Sequence, residues 1–231
     1  MKKQIVIFTG AGVSADSGIA TFRDSDGLWA NHSIEDVCTH EAMIYNRNGV
    51  IDFYNERRKE LLEKSPNAAH YAIAELEKYY PVKLITQNID DLHERAGSTN
   101  ITHLHGELRK LRSSINESAT IAIEGWKQDY TSRHPDGSLL RPYVVFFGEA
   151  VPELETAIKI VETADIFIVI GTSLQVYPAA SLINYIRKDI PVYLVDPQKM
   201  NISMDNHPFK QIQKKAAEGV PELIQQLIKE L

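Results

Sequence analysis

The sequence holds one cysteine, Cys38, among 231 residues. A disulfide within the chain is therefore excluded, and so is a zinc site built from paired cysteines. No run approaches 18 apolar residues, which excludes a transmembrane helix. The opening segment, MKKQIVIFTGAG, places glycines and Asp16 where a cleavage region would stand, and does not read as a signal peptide. Positive charge is also scarce: 25 Lys and Arg face 31 Asp and Glu, for a formal net charge of −6. Such a field repels nucleic acid and anionic membranes, so neither is expected as a partner, and any anionic ligand must be held by local geometry. A reducing cytoplasm is the expected setting. What is present is ordinary globular composition, 43% hydrophobic and 24% charged. A chain of this length buries roughly 70% of the surface its unfolded form exposes, enough for a core without staples.

Four short apolar runs have strand length and β-branched content: Gln4–Phe8, Val82–Thr86, Ile166–Ile170 and Val192–Val195. Helical spacing appears between them in Val50–Lys64, in Glu153–Ala164 and in Pro221–Leu231. Alternating strands and helices predict an α/β fold: a Rossmann-type, mostly parallel sheet with helices on both faces. Roughly seventy residues separate the first two strands, too many for one crossover helix, so a small lobe is inserted. The reading is one domain over 1–231, with the sheet core at about 1–30, 80–106 and 142–231 and the lobe at about 31–79 and 107–141. The second insert, Glu107 to Leu140, is polar and without sustained period, and reads as a reduced lobe or a loop excursion.

The first strand runs into Gly10-Ala11-Gly12-Val13-Ser14, with Gly18 beyond. A glycine turn that enters a helix behind a buried strand suits a dinucleotide pyrophosphate, since the backbone can approach and the helix start is positive. A tight turn without ligand is the alternative. Phe22 and Arg23 follow in Thr21-Phe22-Arg23-Asp24, and an arginine there could pair with phosphate. Gln87, Asn88 and Asp90 follow the second strand, at the sheet edge where ligands of open α/β folds collect, although Asn88 or Asp90 could equally cap a helix. Gly171-Thr172-Ser173 closes the Ile166–Ile170 strand, with the same choice between ligand and cap.

These segments carry a resemblance. GAGVSADSGIATFRD, TQNIDDLHERAG, HLHG, LRPYVVFFGE and GTSLQVYPAA, in this order from Gly10 to Ala180, are similar to the signature blocks of the sirtuins. The resemblance implies NAD consumed as a co-substrate and an acyl group moved from a protein lysine to ADP-ribose. It implies pyrophosphate and ribose contacts from Gly10, Ala11, Gly12, Ser14, Phe22, Arg23, Gly171, Thr172 and Ser173. Asp90, with the Ile89 backbone, would hold the nicotinamide carboxamide, while Gln87 and Asn88 line the ribose. His105 matches the catalytic histidine that takes a proton from a ribose hydroxyl, a task suited to imidazole; His103 is given no role. Val144, Phe146, Phe147, Gly148 and Glu149 would form a strand edge that pairs with the substrate peptide; a buried core strand is the alternative.

Three departures follow. Ser113, Asn116, Arg133 and Asp136 stand where the family keeps two Cys-x-x-Cys pairs, so no zinc is expected. Leu194 replaces an adenosine-contacting Asn, and Asp196 is expected to take over. Tyr54 and Arg57 resemble the pair by which one sirtuin branch recognises succinyl, malonyl and glutaryl lysine, and helical spacing puts them on one face. A solvated charged face, Arg57, Arg58 and Lys59 beside Glu56 and Glu60, is the competing reading, and Arg58 is expected to point away from Arg57. The expected enzyme is a desuccinylase or demalonylase with weaker deacetylase activity; ADP-ribosyl transfer or NAD hydrolysis at the same site is the alternative.

Overall fold

The structure, a computed structural model, describes residues 2–20, 33–200, 202 and 204–230. Its centre is β1 (Ile5–Thr9), one residue later than the sequence pattern suggests and fully buried. On one side β1 pairs with β2 (Val82–Thr86), which pairs with β3 (Ile101–His103). On the other it pairs with β7 (Ile166–Ile170), then β8 (Val192–Val195) and β9 (Phe209–Ile212). All five pairings are parallel, giving the order β3-β2-β1-β7-β8-β9. Alternation along β1 feeds two cores: Ile5 and Ile7 face one cluster, Val6 and Phe8 the other. This is why the run is apolar throughout rather than every second residue.

The helices show where sequence reading slips. α3 (Arg47–Glu63) and α6 (Leu154–Val161) lie close to the expected spans. α7 (Ala216–Lys229) begins earlier than expected and carries Pro221 inside it; proline favours first turns, which made Pro221 read as a start. α4 (Ala68–Leu76) falls in the stretch assigned to the lobe, yet Ala69, Ile73 and Leu76 share a core with α7 and the large sheet. No described helix is long and apolar enough to cross a membrane.

The lobe is built from α1 (Ile34–Val37), α2 (His40–Tyr45), α3 and an antiparallel sheet. Residues 107–140 are therefore not a loop excursion. β4 (Gly106–Ser113) lies between β5 (Thr120–Ala122) and β6 (Leu140–Val144). The alternation was masked because β4 reads GELRKLRS, whose charged letters look like surface although Arg112 is buried; Leu111, Ile123 and Leu140 supply a small core of their own. Phe53, Tyr54, Leu108, Val144 and Phe146 join the lobe's helices to that sheet.

Candidate active site

The first strand ends against the last residues of β7. Gly10 N–H donates to Ile170 O at 3.0 Å and Gly12 N–H to Gly171 O at 2.8 Å. A Cβ on Gly12 would lie 2.6 Å from Gly171 Cα, and one on Gly171 2.5 Å from Gly12 C, so two backbones touch where side chains would separate them. The helix expected after this turn is absent from the described residues. Two three-residue 3₁₀ turns, Ala11–Val13 and Ala15–Ser17, stand in its place and end at Gly18, whose φ is +79°. A left-handed residue at this point stops helical propagation, so among the described residues no long helix presents its positive end at this turn. Phe22 and Arg23 lie outside the described residues.

Every other residue expected to touch NAD, the acyl group or the peptide borders one cavity of about 1080 Å³. Gly10, Ala11, Gly12 and Ser14 form one wall; Gln87, Asn88, Asp90 and His105 form the floor at the ends of β2 and β3; Gly171, Thr172, Ser173 and Asp196 close the far side. Tyr54, Arg57, Val144, Phe146, Phe147, Gly148 and Glu149 form the opposite wall. Leu194, on β8, is fully buried in the core, and Asp196 accepts the Gln198 N–H at 2.9 Å.

The floor is held by hydrogen bonds. Ser14 Oγ donates to Asp90 Oδ2 at 2.9 Å, and Leu92 N–H donates to Asp90 Oδ1 at 3.1 Å. Asn88 Nδ2 donates to Gly10 O and to Ser14 Oγ, both at 3.2 Å. Gln87 Nε2 reaches Thr172 Oγ1 at 2.9 Å, joining the floor to the far wall. Burial raises Asp90 from 3.8 to about 6, despite the bonds from Leu92 and Ser14. His105 Nδ1 donates to Gln87 O at 3.0 Å, and burial holds its pKa below 6.5. A neutral ring whose Nδ1 carries the proton leaves Nε2 as a lone-pair base, the form a proton acceptor needs at neutral pH.

Sequence reasoning missed what lies behind the floor. His70 and His93 have ring centroids 4.8 Å apart, and burial holds His70 at about 4 and His93 well below 6.5. His93 Nε2 meets Thr9 Oγ1 at 3.2 Å, and Thr9 Oγ1 donates to Thr86 Oγ1 at 2.8 Å. Isolated histidines in helical stretches gave no signal of this layer. Cys38 was also missed: its Sγ lies 3.5 Å from the Tyr54 hydroxyl, and it borders the cavity.

The peptide-facing segment differs from an open strand edge. Val145 N–H donates to His105 O, Phe147 N–H to Cys38 O and Glu149 N–H to Phe146 O. Phe146 N–H donates to Glu149 Oε2 at 2.9 Å. The Glu149 carboxylate turns inward to Arg141, at 2.7 and 3.2 Å, and Arg141 lies 4.1 Å from the Phe146 ring centroid. Four donors of the segment are thus occupied, leaving Gly148 N–H and the exposed Phe147 ring as its outward features.

Tyr54 is almost fully buried and stacks on Phe146 with centroids 5.9 Å apart. Arg57 lies over Phe53 and pairs through Nη2 with Glu60 at 2.8 Å, while its Nε is buried without a partner among the described residues. Arg58 does not belong to a solvated face. It is fully buried, its Nη1 and Nη2 donating to Asn55 Oδ1 at 3.3 Å and Gln128 Oε1 at 3.4 Å, and burial lowers its pKa to about 10.

A parallel sheet whose glycine turn opens on a cavity floored by a neutral imidazole and a raised carboxyl defines a dinucleotide-dependent α/β enzyme with a general base. Comparison with known proteins narrows that class. The family model described as the Sir2 family matches residues 10–178. An NAD-dependent protein deacylase of Aggregatibacter actinomycetemcomitans is 56% identical over 85% of this chain and 94% of its own. One of Bacteroides thetaiotaomicron is 51% identical over 98% of both. The crystal structure of a Sir2 homolog–NAD complex superposes with a TM-score of 0.88 at 39% identity, over 99% of this chain and 91% of that one. The chain belongs to the Sir2 family. It is an NAD-dependent enzyme.

Proposed function

We propose that this NAD-dependent protein deacylase removes acidic acyl groups, succinyl or malonyl, from protein lysines in preference to acetyl, releasing nicotinamide and O-acyl-ADP-ribose. NAD, when bound, supplies the ribose carbon that accepts the acyl oxygen and the nicotinamide that departs. The glycine turn lets backbone approach the phosphates, where any Cβ would intrude on Gly171 or Thr172. Asp90, the Ile89 backbone and Asn88 orient the nicotinamide end. His105 takes the proton of a ribose hydroxyl at Nε2.

The observation that carries the acyl preference is that Arg57 and Tyr54 border the same cavity as His105. Arg57 is only 18% exposed, and its Glu60 partner is 58% exposed and free to swing into water. A terminal carboxylate could then meet a guanidinium with an unpartnered nitrogen, in a setting drier than bulk solvent. Losing a charge contact with a buried partner costs about 2–5 kcal/mol, so Arg57→Met is expected to lower desuccinylation kcat/KM by at least about 30-fold and to leave deacetylation nearly unchanged. Arg58 cannot serve as the control, because its substitution disturbs the buried Asn55–Gln128 contacts. The exposed Lys59 can. Rates of Arg57→Met and Lys59→Met on acetyl-, malonyl- and succinyl-peptides decide the matter, and a wild-type preference for acetyl would defeat it.

We propose also that the lobe folds without zinc. Ser113 Oγ accepts from Ile115 N–H and Asn116 N–H and lies 2.9 Å from Ser138 Oγ. Asp136 accepts the Ser138 N–H at 2.9 Å, and its bonds with Ser113 and Ser138 hold it below the usual carboxylate range. These residues fit a hydrogen-bonded knuckle rather than a thiolate tetrahedron. Elemental analysis of purified protein is expected to find far less than one zinc per chain, with Tm indifferent to chelators; stoichiometric zinc whose removal unfolds the protein would refute this.

A further inference from the structure

His103 is a residue to which the deacylase reading gives no part. Its Nδ1 lies 2.9 Å from the Asn88 carbonyl oxygen and its Nε2 lies 2.7 Å from Glu94 Oε1. A carbonyl can only accept, so Nδ1 carries a proton; the carboxylate on the other side calls for a second. A neutral imidazole has one N–H and cannot serve both. The ring is therefore the charged half of an ion pair. Its side chain is only 8% exposed, against 40% for Glu94. Burial pulls its pKa down, but the bond and charge of Glu94, with the Asn88 carbonyl, outweigh burial and leave it above 6.5. Burial likewise raises Glu94, and His103 more than reverses that.

What the pair grips is the loop that floors the active site. His103, at the end of β3, and His105, in the turn after it, bond successive carbonyls: His103 that of Asn88, His105 that of Gln87. Asn88 in turn is fixed through its side chain to Gly10 and Ser14. Building on the deacylase reading, we propose that the His103–Glu94 ion pair is a positioning clamp for the reaction, holding the Gln87–Asp90 loop in register while touching no substrate itself.

The other titratable groups facing His103 are Glu107 on β4, Asp90 in the loop and the neutral His93 on α5 (Leu92–Ala96). Lys110 on β4 bonds Glu107 at 2.7 Å and acts on Glu94. Ligand atoms of Glu94, His103 and Glu107 lie within 4.8 Å of one another, as a cation site would require. The 2.7 Å Nε2–Oε1 separation favours a shared proton, because two ligands of one tetrahedral zinc stand about 3.4 Å apart.

The test uses Glu94→Gln and His103→Gln in the full chain. NMR of the labelled His103 ring is expected to show both nitrogens protonated at pH 6.5 in wild type and a pKa below 6.5 in Glu94→Gln. In nicotinamide release from an acylated peptide, both variants are expected to lose tenfold or more in kcat at pH 6.5, where the wild-type ring is charged, with KM for NAD near wild type. The alkaline limb should move about one pH unit lower in Glu94→Gln and disappear in His103→Gln. A wild-type ring that is neutral at pH 6.5, or variants whose kcat and pH profiles match wild type, would overturn the clamp. So would stoichiometric zinc binding that both variants abolish. The NMR arm needs no turnover, so wild-type protein that releases no nicotinamide would refute the deacylase reading while the ring titration still decides the clamp.

Discussion

His105→Ala is expected to lower kcat by about 10²–10⁴-fold, the usual contribution of a positioned general base, with the Kd for NAD within a few-fold of wild type. The two halves of this outcome have separate causes. The substitution removes the only group whose lone pair is argued to take the ribose proton. It leaves untouched the contact between Gly10–Gly12 and Gly171, the proposed seat of the dinucleotide backbone. Its one structural loss is the bond to Gln87 O, and Gln87 keeps its side-chain hold on Thr172 at 2.9 Å. Single-turnover kinetics with calorimetric NAD binding would separate the two effects. Unchanged turnover would remove His105 from the chemistry, and a matching collapse of NAD affinity would show that its work is structural.

Asp90→Asn is expected to stabilise the protein while disabling it. Burial lifts this carboxyl from 3.8 to about 6, so at neutral pH its charge costs about 3 kcal/mol of folding free energy. The raised pKa fixes the sign: the favourable contribution is complete below pH 3.8 and is lost as pH rises through about 6. An amide avoids the cost, and its oxygen can still accept the Leu92 N–H. A gain of roughly 6–12 °C in Tm is therefore expected at pH 7.5, shrinking to nothing near pH 4. Nicotinamide release should fall by a hundredfold or more if, as proposed, the Asp90 anion orients the carboxamide. Thermal melts across pH 4–8, beside steady-state rates, check both. A Tm that is lower at every pH would show that the carboxylate, charged or not, holds the loop together.

The strands were legible because a sheet covered on both faces needs apolar residues at every position, and Ile166–Ile170 meets that condition. Edge strands were not: β3 is three half-buried residues, and β9 puts Lys210 and Gln211 side by side between Phe209 and Ile212, which breaks the period of two. The lobe sheet hid behind its arginine and lysine residues, and Arg58 hid in the same way. A charged letter in a charged run reads as surface, whereas its burial depends on Gln128, seventy residues away in sequence. The site residues stood out because glycines, amides and histidines cluster at strand ends, while the partners of those residues are set by three-dimensional neighbours. His103 shows the difference. Its position two before His105 was visible, but Glu94 on a separate helix is what gives it charge.

The place of β1 in the sheet bears on how the chain is made. Ile5 pairs with Val82 and with Ile166, separations that put this protein among topologies dominated by distant contacts, which fold slowly. At about 5–20 residues per second, roughly 8–30 s pass between synthesis of the first strand and arrival of its second partner. Throughout that interval Ile5, Val6, Ile7 and Phe8 form an apolar ribbon with at least one edge unpaired. The segment that later carries the glycine turn is thus the one most in need of a chaperone's protection, and the active-site scaffold is among the last parts of the molecule to become permanent.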